Sequence, residues 1–167
     1  VIGRTDLLHQ VSRGSPNLDD LDLNPLLVKT DPGANPRYSE SDLINFELDI
    51  KNLYEKTKIK APIHLSGNNE EQLIKIFKKI KKNDWVFSSW RSHYHALLHG
   101  VKKKDIKNQI LKGRSMSICS NFPKFYSSSI VGGTLPIALG VAMANKRKHK
   151  KDKVCLLYTS DAADERN

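Results

Sequence analysis

Ile130-Val131-Gly132-Gly133-Thr134-Leu135-Pro136-Ile137-Ala138-Leu139-Gly140 is the stretch on which the fold turns. Its glycines and proline open a helix that the pattern carries through Ala144. Four residues of that helix are small: Ala138, Gly140, Ala142 and Ala144. Small side chains let a helix lie close against a sheet or another backbone, although an ordinary core helix has the same composition. Before it, Met116 to Ser129 shows no periodicity and reads as a surface loop. After it, Lys153-Val154 begins a strand.

Working back toward the start, Asp105 to Leu111 reads as a helix stopped by Gly113, and Ser92 to His99 as a helix stopped by Gly100. Trp85-Val86-Phe87-Ser88 is a short buried strand after the Asn83-Asp84 turn. Asn69-Glu70-Glu71 opens a helix carrying Leu73, Ile76, Phe77 and Ile80, with its acids at the positive end of the dipole. Ala61 to Gly67 is a loop. Ser39-Glu40-Ser41-Asp42 has capping-box spacing ahead of Leu43, Phe46, Ile50 and Leu53, which predicts an amphipathic helix ending near Lys56. Helices alternating with short strands place the chain in the α/β class, with helices around a partial parallel sheet.

Trp90-Arg91-Ser92-His93 follows the buried strand, and the C-terminal end of a strand is where open α/β sheets place ligands. Arg91 has the forked donors that suit an anionic group, though spacing alone favours a surface arginine. His95 and His99 stand at i,i+4, the spacing of a metal pair, but no third ligand accompanies them. No metal site is therefore expected. Cys119 and Cys155 form neither a metal-ligand pattern nor a disulfide framework. No apolar run is long enough to cross a bilayer, and Val1-Ile2-Gly3-Arg4-Thr5-Asp6 lacks a signal-peptide core, so a cytoplasmic setting is expected.

The net charge is +10, which raises nucleic acid as a partner. The lysines cluster at 78–82, 102–104 and 146–151 with no aromatic stacking platform between them, so solvated helix faces account for them better. Composition also shifts along the chain. Lys29 is the only lysine before Lys51, and from Tyr38 onward lysine and isoleucine dominate. Residues 1–37 thus read as a foreign segment. Ile2-Gly3-Arg4-Thr5-Asp6-Leu7-Leu8 and Leu18-Asp19-Asp20-Leu21-Asp22-Leu23-Asn24-Pro25 resemble the connector of the bacterial glutamate synthase large subunit. At the other end, Cys155 through Asp164 resembles the translation of a sequencing-library transposase adapter. Residues 155–167 are accordingly set apart as a tail, and the chain is expected to be a chimera.

The middle, residues 38–154, resembles the α subunit of thiamine-diphosphate-dependent 2-oxo-acid dehydrogenases of the pyruvate, branched-chain or acetoin type. His64-Leu65-Ser66-Gly67-Asn68-Asn69-Glu70 is similar to that family's His-Leu-x-x-Gly-Gln-Glu, and Trp90-Arg91-Ser92-His93 to its Tyr-Arg-x-His. Ile130 to Gly140 is similar to its Ile-Val-Gly-x-x-x-Pro-x-Ala-x-Gly. The resemblance implies an incomplete thiamine-diphosphate-binding fold. It implies that Arg91 contacts the cofactor diphosphate and that Trp90 stands in place of a tyrosine. Ser129 and Val131 would bond the aminopyrimidine through their backbone groups, and His64 would face the active site as its catalytic residue. The implied chemistry is oxidative decarboxylation with acyl transfer to a lipoyl arm, using thiamine diphosphate and magnesium. The implied partners are a β subunit and a lipoyl acyltransferase core.

Three departures qualify that picture. Trp90 lacks the tyrosine hydroxyl. Gly113-Arg114-Ser115-Met116-Ser117 stands where the family has Gly-Gly-Ser-Met-His. The Gly-Asp-Gly and later Asn that hold magnesium are not found, and Asp161 lacks flanking glycines. The expectation is a fragment of the enzyme that is inactive as written. The alternatives are a small basic nucleic-acid-binding protein, or a non-functional glutamate synthase connector.

Overall fold

The computed structural model describes residues 27–28 (backbone only), 38–56 and 61–158. In chain order the elements are β1 (Leu27–Val28), α1 (Glu40–Lys56), α2 (Glu70–Phe77), β2 (Trp85–Ser88), α3 (His93–His99), α4 (Lys103–Leu111), β3 (Cys119–Ser120), β4 (Phe125–Ser127), α5 (Thr134–Arg147) and β5 (Val154–Leu157). The strands form one sheet in the order β1-β3-β4-β2-β5. Three pairings are parallel, β1 with β3, β4 with β2 and β2 with β5, whereas β3 and β4 pair antiparallel. The α/β architecture follows from the sequence pattern.

Period-2 alternation divides the core between the two faces of the sheet. Val86 packs on one face, with Leu43, Phe46 and Ile50 of α1, Leu73 and Phe77 of α2, Tyr94 and Leu97 of α3, and Ile106 and Ile110 of α4. Phe87 points to the other face, where Ile137, Ala138 and Val141 of α5 cover it. β5 divides likewise, Cys155 and Leu157 to the first face and Val154 and Leu156 to the second. The sheet is thus a middle layer between α1–α4 and α5. β5 extends through Leu157, so three residues of the segment set apart above pair with β2. Four consecutive apolar residues form such a strand whatever their origin. Apart from Leu27–Val28, whose backbone pairs with β3, the residues 1–37 read as a foreign connector lie outside the described residues, as does most of the 155–167 tail.

Local signals explain the element ends. The Ser39 N–H donates to Asp42 Oδ2 at 2.9 Å and the Asp42 N–H donates to Ser39 Oγ at 3.2 Å, a reciprocal capping box that starts α1. Gly100 caps α3 with φ 103°, a left-handed conformation that glycine adopts without steric cost. Asp84 ties the starts of β2 and β5 together: its carboxylate accepts the N–H groups of Lys81 and Lys153, each at 2.8 Å.

Two expectations from the sequence need correction. Met116 to Ser129 is not wholly a loop: β3 and β4 lie within it, in a hairpin turning through residues 121–124. Strands of two and three residues are too short to show a period. The small residues of α5 also do not all make close contact. Ala138 is buried, but Gly140 and Ala142 are exposed, and the space beside Gly140 is open. The buried face is instead Thr134, Ile137, Ala138, Val141 and Asn145.

Candidate functional site at the strand ends

β2 and β4 run parallel and end level, with Ser88 opposite Ser127. Beyond those ends the chain makes two turns that lean on each other. The Ser128 N–H donates to the Ser88 carbonyl at 3.2 Å, and Ser92 Oγ donates to Ser127 Oγ at 3.1 Å. The first turn carries Trp90 and Arg91, and the second carries Ser129 and Val131. Leu157 of β5 is level with Ser88 as well, so β5 also leaves the sheet at this end. Three parallel strands therefore deliver their C-terminal ends to one rim, the usual ligand position of an open α/β sheet.

The residues expected at the site differ in exposure. Trp90 is buried at 6% exposure, Arg91 and Ser129 are half-buried, and Val131 is 61% exposed. The turn before α5 is tight. Gly132 has φ 73°, and a Cβ on Gly133 would come within 3.1 Å of Ile130 Cβ, so both positions favour glycine. His64 is exposed on the loop between α1 and α2, a separate segment from the strand-end turns. The structure places Trp90, Arg91, Ser129 and Val131 on adjoining turns and His64 on a separate loop.

That His64 loop is nonetheless anchored. The Ser66 N–H donates to Glu47 Oε1 at 2.9 Å. His93 Nδ1 lies 3.3 Å from the same oxygen, within ion-pair reach but not aligned as a hydrogen bond. On its other side, His93 Nε2 is hydrogen-bonded to Ser115 Oγ at 2.9 Å. Next along the chain, Tyr94 OH donates to Glu70 Oε1 at 3.2 Å. Burial and the nearby carboxylates of Glu47 and Glu70 push the Tyr94 hydroxyl well above its ordinary range. Glu47, His93 and Ser115 are buried at 5%, 0% and 1% exposure.

None of Glu47, Glu70 or Ser115 stands out from the motifs as a residue with a role. One signal was available for Glu47. It occupies a core position of α1, between Phe46 and Ile50 on the face that buries Leu43. A charged residue on an apolar helical stripe marks either an error of phase or a buried polar partner.

His95 and His99 do not form a metal pair. His95 Nδ1 is hydrogen-bonded to Ser88 Oγ at 2.7 Å, and His99 Nε2 donates to the Asp84 carbonyl at 3.1 Å. His95 stacks on the ring of Phe77, which His99 also meets in a tilted contact. Burial lowers both to about 4, so they are neutral core histidines at ordinary pH. The lysine clusters lie mostly exposed on helix ends and turns. Lys82 and Lys103 rest over the rings of Phe122 and Tyr38, 4.9 and 5.1 Å from the centroids. No helix among the described residues is long and apolar enough to cross a membrane.

The donor chemistry of the rim fits part of a thiamine diphosphate. Arg91 supplies a forked cation for an anion, and the turn at Ser129–Val131 supplies backbone groups for a heterocycle. Among the described residues no group of three His, Cys, Asp or Glu side chains could hold a cation.

Comparison with known proteins gives two kinds of relative. The chain is 31% identical over 130 residues to the pyruvate dehydrogenase E1 component subunit alpha, mitochondrial, of Chaetomium thermophilum, covering 71% of this chain and 31% of that protein. It is 30% identical over 131 residues to the pyruvate dehydrogenase E1 component subunit alpha of Rickettsia prowazekii, covering 72% and 40%. It is also 30% identical over 148 residues to the glutamate synthase [NADPH] large chain of Azospirillum brasilense, covering 82% of this chain but 10% of that one. The chain thus spans between 31% and 40% of these two pyruvate dehydrogenase relatives and a tenth of the glutamate synthase. The glutamate synthase likeness covers far more than residues 1–37. Residues 39–166 match the family model described as the dehydrogenase E1 component, a match that includes the segment after Val154, and the chain belongs to that family.

Proposed function

We propose that this chain carries the α-subunit share of a thiamine-diphosphate site in a 2-oxo-acid dehydrogenase, with residues 38–154 bearing the assignment. The supporting observation is the level ending of β2 and β4, which brings the Arg91 turn and the Ser129–Val131 turn together at the strand ends. Arg91 would bind the diphosphate. Backbone groups of Ser129 and Val131 would hold the aminopyrimidine, and Trp90 would wall the diphosphate side without donating a hydroxyl. His64 would orient the substrate. When bound, the cofactor supplies the carbanion chemistry for decarboxylating a 2-oxo acid. A β subunit would complete the site, and a lipoyl acyltransferase core would receive the acyl group. With no metal ligands gathered among the described residues, the 167-residue chain would hold the cofactor weakly and be inactive alone.

An NMR titration of the labelled chain with thiamine diphosphate tests this. The expected result is weak, roughly millimolar binding with shifts confined to the Arg91 and Ser129–Val131 turns. Arg91→Ala should abolish them. Shifts confined to the lysine clusters at 78–82 and 146–151, or none at all, would overturn the assignment.

A further inference from the structure

Two loops that come from different parts of the chain end on one buried carboxylate. The loop carrying His64 is fixed by the Ser66 N–H on Glu47 Oε1, two residues from His64. The turn carrying Arg91 runs into His93, two residues on, whose Nδ1 is 3.3 Å from the same Oε1. Glu47 and His93 are buried and the Ser66 bond is part-buried, and a buried carboxylate is retained only where neighbouring donors compensate its desolvation. A second bond reinforces the first. Glu70 closes the far end of the His64 loop and accepts from Tyr94, the residue after His93. The loop is thus held on the C-terminal side of His64, at Ser66 by α1 and at Glu70 by the first turn of α3. Ser115, bonded to His93 Nε2, fixes the imidazole from the opposite side.

We propose that Glu47 and His93 are positioning residues that set the His64 loop and the Arg91 turn relative to each other, so that both face the strand-end rim. This rests on the assignment of His64 and Arg91 to the cofactor site. Neither Glu47 nor His93 is exposed enough to meet a ligand itself, at 5% and 0%. They act through the segments they tie. One carboxylate serving two segments makes their placement interdependent: loosening Glu47 frees both at once, whereas loosening Ser115 acts first on His93 and the Arg91 side.

The test is made on the ligand-free full chain, so it fails or succeeds apart from the cofactor assignment. The His64 ring and Arg91 Nε–H signals are followed by NMR in the parent, Glu47→Ala, Glu47→Gln, Ser115→Ala and Ile106→Val. Ile106 is a fully buried core residue on α4 and controls for general loss of stability. Glu47→Ala should displace both signals together, with Arg91 Nε–H exchange faster by roughly tenfold. Glu47→Gln keeps an acceptor for the Ser66 N–H and should restore the His64 signal most of the way; should the alanine variant not fold, an unrestored His64 signal in the glutamine variant overturns the proposal. Ser115→Ala should move Arg91 more than His64. Parent-like signals in Glu47→Ala, or equal displacement by Ile106→Val, would also overturn it. A failed cofactor titration with these couplings intact would overturn the cofactor assignment alone.

Discussion

Ser92 Oγ donates to Ser127 Oγ at 3.1 Å, and Ser127 Oγ in turn accepts the Ile118 N–H at 2.8 Å and donates to the Ile118 carbonyl at 3.2 Å. One buried hydroxyl therefore joins the start of α3, the end of β4 and the residue before β3. It sits directly behind the turns that carry Arg91 and Ser129. Ser127→Ala leaves a buried N–H and a buried hydroxyl without their partner. The expected loss is about 1–3 kcal/mol of unfolding free energy. Urea denaturation of the variant checks it. A change within about 0.5 kcal/mol, the usual range for a surface site, would contradict the role.

His95 and His99 give the fold an acid-sensitive step. Their folded pKa of about 4 lies below the ordinary 6.5 that they regain on unfolding. As pH falls through 6.5 the unfolded chain takes up protons first, so stability begins to drop. The loss accumulates until about 4, where the folded form protonates too. Above 6.5 the contribution is fully present. His99→Gln retains a donor for the Asp84 carbonyl but does not titrate. Its urea midpoint should therefore fall less than the parent's between neutral pH and about pH 4.5. Parallel pH profiles for the two proteins would refute the assignment.

α5 offers a contrast between its two faces. Val141 is buried at 3% against Phe87, Ile137 and Ala138, while Leu139, two residues earlier, is 62% exposed. Val141→Ala should cost roughly 1–3 kcal/mol through lost packing against the sheet. Leu139→Ala should change stability by no more than about 0.5 kcal/mol. Thermal unfolding of the pair checks the helix phase. Equal losses at both positions would mean that α5 is rotated from the orientation described.

The long helices and the buried strand were legible because their periods are long enough to read. α1 shows Leu43, Phe46 and Ile50 behind a capping box, and Trp85–Ser88 is a compact apolar run. β3 and β4 were not legible, since two or three residues cannot display alternation. At the rim, the place of Arg91 after β2 favoured a surface arginine, and the family resemblance alone pointed it at a cofactor diphosphate. The same resemblance put Ser129 and Val131 on that cofactor, whereas residue spacing alone does not bring their turn to Arg91, because residues so far apart become neighbours only through strand pairing. Glu47 lay hidden for a related reason. Its partners, the Ser66 N–H and His93, are 19 and 46 positions away, and a backbone donor leaves no mark in the sequence at all.

The last prediction concerns the metal. A diphosphate brings several negative charges, and enzymes that bind one generally place a divalent cation against it, held by carboxylates and the phosphates together. Arg91 is one cation, and the described residues gather no group of three His, Cys, Asp or Glu side chains to seat another. Magnesium should therefore add little to cofactor binding by this chain. Calorimetric titration with thiamine diphosphate should give no saturable heat at sub-millimolar cofactor, with or without magnesium. The same titration after adding a β subunit would distinguish a deficit of this chain from a missing partner. If the deficit lies in the chain's own ligand set, the partner leaves the magnesium response unchanged. Tight, saturable, magnesium-dependent binding by the chain alone would show that ligands outside the described residues complete the site, and would sink the prediction.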